Sequence, residues 1–258
     1  MAPVVEESVP KEEVKDLKAK EEVKEGEKVA PEEENKVAPE EEKAAEIAPK
    51  EELVEEEKIP TEVEPKTGVA FPTKLHDGKR LKSVGMRKKS ILGLGVKIYA
   101  FGIYGDNEKL KELLSSRIAG GPPTKPTKEM YDLAIDSDMG MMVRMIIVFA
   151  GLTMNMVKKN FDEGLGASIK KLTGGRKDEN LINKVMGAAS DNIKLTTGSV
   201  IEITRLPGFT LQTKVNDEVV SNVESELICR AYFHMYLGDD PFDKDAKEKF
   251  GKSLLPLF

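Results

Sequence analysis

Residues 82–105, KSVGMRKKSILGLGVKIYAFGIYG, bring one arginine and two tyrosines into a stretch that otherwise has the composition of buried sheet. From Ile91 onward the apolar, β-prone positions Leu92, Leu94, Val96, Ile98, Tyr99, Phe101, Ile103 and Tyr104 predict a strand entering a core. Glycines at 93, 95, 102 and 105 mark turns or close backbone approaches. A guanidinium at Arg87 and a phenol at Tyr99, delivered to one end of an apolar space, suit a carboxylate carried on a long alkyl tail. The ligand class this suggests is a fatty acid.

The remaining reactive side chains offer less. His76 and His234 are isolated, with no second histidine or cysteine at ligand spacing, so no metal site is expected. Cys229 is the sole cysteine, which excludes an internal disulfide and fits an inert core thiol in a reducing compartment. Lys79, Arg80, Lys82, Lys88 and Lys89 are basic but lack interleaved aromatic residues, so nucleic acid is not an expected partner. Arg144, inside the apolar run MVRMIIVF, must either face water or pair with a carboxylate. No cofactor is expected.

Charge divides the chain. Residues 1–66 hold 23 acidic residues and 11 lysines, a net of −12, so the whole-chain net of −6 leaves +6 on residues 67–258. The first 60 residues contain no aromatic side chain and repeat KVAPEEE at 28–34 and 36–42. Such a segment buries too little apolar surface to offset an ordering cost of about 1–2 kcal/mol per residue, and a disordered acidic tail is expected over 1–66. Residues 67–258 are enough for one domain with a real core. The longest apolar run, Met139–Leu152, is broken by Arg144 and too short to cross a bilayer. The acidic start MAPVVEESV has no targeting signature.

Within the domain, NEKLKELLSSRI predicts a helix over Asn107–Ile118, and MMVRMIIVFAG a strand over 141–151. Val157, Phe161, Leu165, Ile169 and Leu172 predict one face of a helix over 153–172, capped by Thr153 and ended by Gly174 and Gly175. A further helix is expected over Glu179–Ala189. Hairpins should turn at Pro207–Gly208 and Asn216–Asp217, and helix should return over the last 35 residues, restarting at Pro241. Antiparallel hairpins with several helices make an α+β fold.

The blocks VGMRKKSILGLGVKIYAFGIYGD, MVRMIIVF, SVIEITRLPG and LICRAYFHMYLGDDPFDKDAKEKF resemble the chalcone isomerase superfamily over residues 67–254, and most closely its non-catalytic plant fatty-acid-binding branch. The resemblance implies an open-faced β-sandwich, a large antiparallel sheet under a layer of helices with the ligand cleft between. It places Arg87 on the family's arginine. The threonine of the catalytic branch falls on Tyr99, the catalytic tyrosine on Val157, the asparagine on Gly164, and a further active-site threonine on Met235. With only the arginine kept, binding without catalysis is implied: Arg87 and Tyr99 holding a fatty-acid carboxylate at the closed end, and Val157, Phe161, Met235 and, if not simply core, Tyr104 lining the tail. The six methionines between 139 and 156 could serve the same lining. A weak chalcone isomerase and an interaction protein led by its acidic tail are the alternatives. The branch is associated with the plastid stroma; the cytoplasm is the other expectation.

Overall fold

The computed structural model describes residues 59–91, 93–118, 121–175, 184–186 and 193–258. The tail expected to be disordered lies outside these residues as far as position 58, as does most of the helix expected over Glu179–Ala189. The expected boundary at residue 66 is corrected. Strand β1 (Thr61–Val63) already pairs with β2 (Ala70–Pro72) in a small antiparallel sheet, so the domain starts before residue 66. Glu64 closes the turn between them, its carboxylate accepting bonds from the backbone of Lys66 and Thr67 and from the Thr67 hydroxyl.

The main sheet has six strands in sequential antiparallel order: β3 (Arg80–Ile91), β4 (Leu94–Gly105), β5 (Met141–Ile147), β6 (Val200–Leu206), β7 (Thr210–Val215) and β8 (Glu218–Glu224). Residues 82–105, where a strand was expected from Ile91 onward, are therefore most of a long hairpin whose turn includes Gly93 at φ +81°. Asn216 and Asp217 form the β7–β8 turn with both residues at positive φ, as a tight hairpin requires. The β6–β7 turn is held by Asp138, whose carboxylate accepts from the backbone of Gly208 and Phe209 at 2.7 and 2.9 Å.

Period-two alternation gives the sheet two faces. Phe101, Ile103, Val143, Met145, Ile201, Ile203 and Leu211 face the helices and form the main core. Val84 and Ala100 face the other way, under Phe71 of β2. The helical layer comprises α1 (Asn107–Arg117), α2 (Lys128–Asp136), α3 (Met154–Thr173), α4 (Glu226–Leu237) and α5 (Lys244–Leu254). Helix α3 starts and stops as its sequence predicts, the Thr153 hydroxyl accepting from the Met156 amide and Gly174 ending it at φ +68°. Its Val157, Phe161, Leu165 and Ile169 are all buried. Helix α5 lies on β3 at Gly85, where a β-carbon would stand 2.5 Å from Ala246 Cβ and 2.6 Å from Phe101 Cζ. The α+β class and the layer order agree with the sequence, whereas α2, β1 and β2 were not foreseen and β5 ends at Ile147 rather than 151.

Candidate functional site: an apolar cleft with a polar rim

Arg87 on β3 and Tyr99 on β4 are directly opposite one another across the strand pair, and both turn toward the helices. Just beyond them the register shifts: Lys88 pairs with Lys97, so Ile98 is left as an extra residue in β4. This bulge breaks the alternation and lets the successive residues Ile98 and Tyr99 line the same cleft. The Ile98 carbonyl then accepts from the amides of Val148 and Phe149, which fastens the end of β5 to the bulge.

The cleft runs between the sheet and α3. Ile98, Met145, Ile147 and Ile201 form its sheet wall, and Leu152, Val157, Phe161 and Met235 the opposite wall; all eight are buried. Arg87, Tyr99, Lys89, Asn160 and Phe242 complete it and are each half-buried. Arg87, Lys89 and Asn160 are thus on the solvent side, the apolar groups are deep, and Tyr99 turns its hydroxyl inward toward Tyr236. The expectation that Arg87 would sit at the closed end is corrected: it lies on the rim.

The Arg87 guanidinium lies over the Phe242 ring, 3.7 Å from its centroid, and no described carboxylate is within ion-pair distance of it. A cation on an aromatic face is stabilised by the ring quadrupole yet keeps its planar N–H donors in reach of a second partner. Phe242 is placed by its neighbours: its amide donates to the Met235 carbonyl, and the adjacent Asp243 accepts from the Met86 amide while capping α5. The Tyr99 hydroxyl is 3.4 Å from that of Tyr236, which in turn points at the Met145 sulfur at 3.7 Å. Burial, followed by the neighbouring Tyr236, pushes the Tyr99 phenol well above its ordinary pKa, so it stays neutral and able to donate. Behind it Phe101, Tyr232, Tyr236 and Phe242 form an edge-to-face aromatic cluster.

Lys89 and Asn160 are rim residues that the sequence reading passed over. The Lys89 ammonium donates to the Asn160 amide oxygen and to Glu163 at 2.8 Å, while Asn160 is fixed by donating to the Met156 carbonyl at 2.7 Å. Tyr104 takes the core alternative rather than the lining one. Five positions from Tyr99, it falls on the opposite sheet face, where it shares the space over Gly102 with Phe71 and Leu81. Burial raises its pKa and its hydroxyl has no hydrogen-bond partner. Arg144 lies on that face too and meets both alternatives left by the sequence, half-exposed and bonded to Glu202 at 2.7 Å. Gly164 abuts the cleft from α3: a β-carbon there would be 2.8 Å from the Met235 sulfur and 3.2 Å from Phe242 Cζ.

The empty space within the cleft is about 510 Å³ when its open mouth is included, but its cavity proper is only about 30 Å³. That is room for about two waters. The side chains lining the cleft therefore nearly fill it.

A family model described as chalcone isomerase-like matches residues 124–250. Chalcone isomerase-like protein 1 of Humulus lupulus is 60% identical over 198 residues, covering 76% of this chain and 92% of that protein. The chain belongs to the chalcone isomerase-like family. Within it, Fatty-acid-binding protein 1 of Arabidopsis thaliana is 37% identical over 191 residues, covering 73% of this chain and 68% of that protein. The crystal structure of an Arabidopsis thaliana fatty-acid-binding protein superposes with a TM-score of 0.72 at 35% identity, over 77% of this chain and 98% of that one. The six-stranded antiparallel sheet with its helical layer is the fold of this family.

Proposed function

We propose that this protein binds free fatty acids reversibly and without catalysis, taking saturated chains of medium to long length tail-first into the cleft. The observation that carries the reading is a guanidinium on the rim of an apolar cleft, with no acid partner among the described residues, opposite a neutral phenol that lines the same cleft. A carboxylate has the shape and charge to take both, two bonds from Arg87 and one from Tyr99. The similar Arabidopsis proteins named for fatty-acid binding support the ligand class.

The tail dominates the energetics. Twelve carbons contribute about 9 kcal/mol at about 0.8 per buried methylene, against association and ordering costs of roughly 4–15. Charge-assisted bonds to the head group add about 1.5–3 kcal/mol each and fix orientation. Entry requires the lining to move, and the flexible thioethers of Met145 and Met235 are suited to yield. Non-catalysis is supported by the side chains at the positions the family resemblance assigns to chemistry. Val157 carries no hydroxyl, Tyr99 replaces the threonine, and Gly164 has Met235 and Phe242 where an amide would project. The plastid stroma is the location this reading favours, to be checked by fractionating tissue.

The test is calorimetric titration of the delipidated full-length protein with laurate, together with a spectroscopic assay for flavanone formation from chalcone. Saturable laurate binding, weakened about 10- to 100-fold in Arg87→Ala as loss of one charged hydrogen-bonding group implies, is expected, with no flavanone formed. Absence of laurate binding, or chalcone turnover that disappears in Arg87→Ala, would overturn the proposal.

A further inference from the structure

Beyond the bulge, the β3–β4 hairpin carries residues whose placement the core does not explain. Leu94 is 71% exposed, the most exposed of the large apolar side chains among the described residues. By register it lies on the face that also carries Arg87, Lys89 and Val96. On the other face Lys88 and Lys97 are direct cross-strand partners and both are exposed. Like charges placed opposite each other destabilise a strand pair. Here the pair is kept, with Lys88 laid across Gly95 and Lys97 reaching back to the Lys66 carbonyl. Lysines on an edge strand discourage strand addition, which accounts for Lys88 but leaves an exposed leucine at the tip unexplained. An exposed leucine next to the turn, with two exposed lysines on the other face of the same hairpin, has the composition of a surface that meets negatively charged headgroups while its apolar side chain enters the layer beneath.

We propose that this hairpin tip, through Leu94, Lys88 and Lys97, docks on anionic lipid bilayers and so brings the mouth of the cleft to the membrane. Arg87 and Lys89 lie on the same strands as the tip, so a docked hairpin sets the rim against the headgroup layer, from which an acyl chain could pass into the cleft without crossing water. That purpose rests on the fatty-acid reading; the docking itself does not.

The experiment is co-sedimentation of the full-length protein with phosphatidylcholine vesicles prepared with and without phosphatidylserine, at low and high salt, alongside laurate titration of the same samples. Binding only to the phosphatidylserine vesicles is expected, weakened by salt, reduced about fivefold for each of Lys88→Ala and Lys97→Ala and also reduced in Leu94→Asp. Lys88 and Lys97 lie on the other face and do not line the cleft, so laurate affinity should be unchanged in Lys88→Ala and Lys97→Ala. No binding to phosphatidylserine vesicles by the unaltered protein, or equal binding by the variants, overturns the proposal. A tip that serves an acidic protein segment instead would bind polyglutamate and need the lysines but not Leu94, and that pattern overturns it too. Vesicle binding that persists while laurate binding is absent keeps the docking and removes the fatty-acid reading.

Discussion

Replacing Arg205 by methionine is expected to be among the most damaging single changes in this domain, although the residue is remote from the cleft. Arg205 ends β6 on the helix-facing side and is fully buried. Its guanidinium donates to three backbone carbonyls: Nε to Met139 at 2.8 Å, Nη1 to Ile135 at 2.7 Å and Nη2 to Ala134 at 2.8 Å. It also lies 4.7 Å from the Phe233 ring centroid. Ala134 and Ile135 belong to the last turn of α2, whose carbonyls have no partner within the helix. Burial pulls the Arg205 pKa down to about 10, which still leaves it charged at neutral pH. Methionine fills the volume but donates nothing, leaving three buried acceptors unpaired. At about 1–3 kcal/mol each, and allowing that relaxation and water recover part, the loss is about 3–6 kcal/mol. That is a large share of a typical domain's 5–15. Urea denaturation followed by circular dichroism would measure it, with a melting temperature lower by roughly 10 °C or more. Arg205→Lys should fall between, since one ammonium cannot span three acceptors in a planar fork. A loss under about 1 kcal/mol in Arg205→Met would refute the assignment of α2's end to this side chain.

Two further outcomes follow from packing and burial. Gly85→Ala should cost about 1–3 kcal/mol, because its new methyl meets Ala246 and the Phe101 ring and α5 must shift; chemical denaturation checks it, and an unchanged midpoint would contradict the close approach of α5 to β3. Lys82 is buried, with a pKa lowered to about 8, first by burial and then by Arg80, against an opposing pull from Asp106. Its unfolded form holds the proton more tightly, so between about pH 8 and 10.5 the unfolded state binds more protons and stability rises with pH. Measured as the difference between the unaltered protein and Lys82→Met from pH 7 to 9, the unaltered protein should gain by up to about 1 kcal/mol per pH unit above 8; a flat difference would contradict it.

How much of this was legible beforehand depended on whether the governing interaction was local. Helix α3 was readable because its cap, its four-residue apolar spacing and its terminal glycines are all within one segment. The hairpin turns at Asn216–Asp217 and Gly208 were readable for the same reason. That Arg87 and Tyr99 border one apolar space was legible, but the half-exposed position of Arg87 was not, since depth depends on which helices cover the sheet. Tyr104 was left between core and lining although the deciding signal was present: an odd spacing from Tyr99 puts the two on opposite faces of a strand. Lys89, two after Arg87, could have been found by the same parity argument, and Asn160, three residues after Val157, by the helical period that puts i and i+3 on one face. Arg205 shares the parity of Ile201 and Ile203, which marks it as inward, but its acceptors come from α2, a nine-residue helix with too few turns to stand out from sequence. The bulge at Ile98 left no trace in residue type, because it is set by the register of two strands.

On the fatty-acid reading, the near-filled cleft makes the protein a competitor of its own guest. Met145, Met235, Phe161 and Phe242 line that space and would have to move aside before an alkyl chain entered, so any affinity would be net of that internal exchange. Trimming one of these side chains would loosen the fold and tighten retention of an acyl chain in the same stroke, and stability and affinity would trade against each other along this wall.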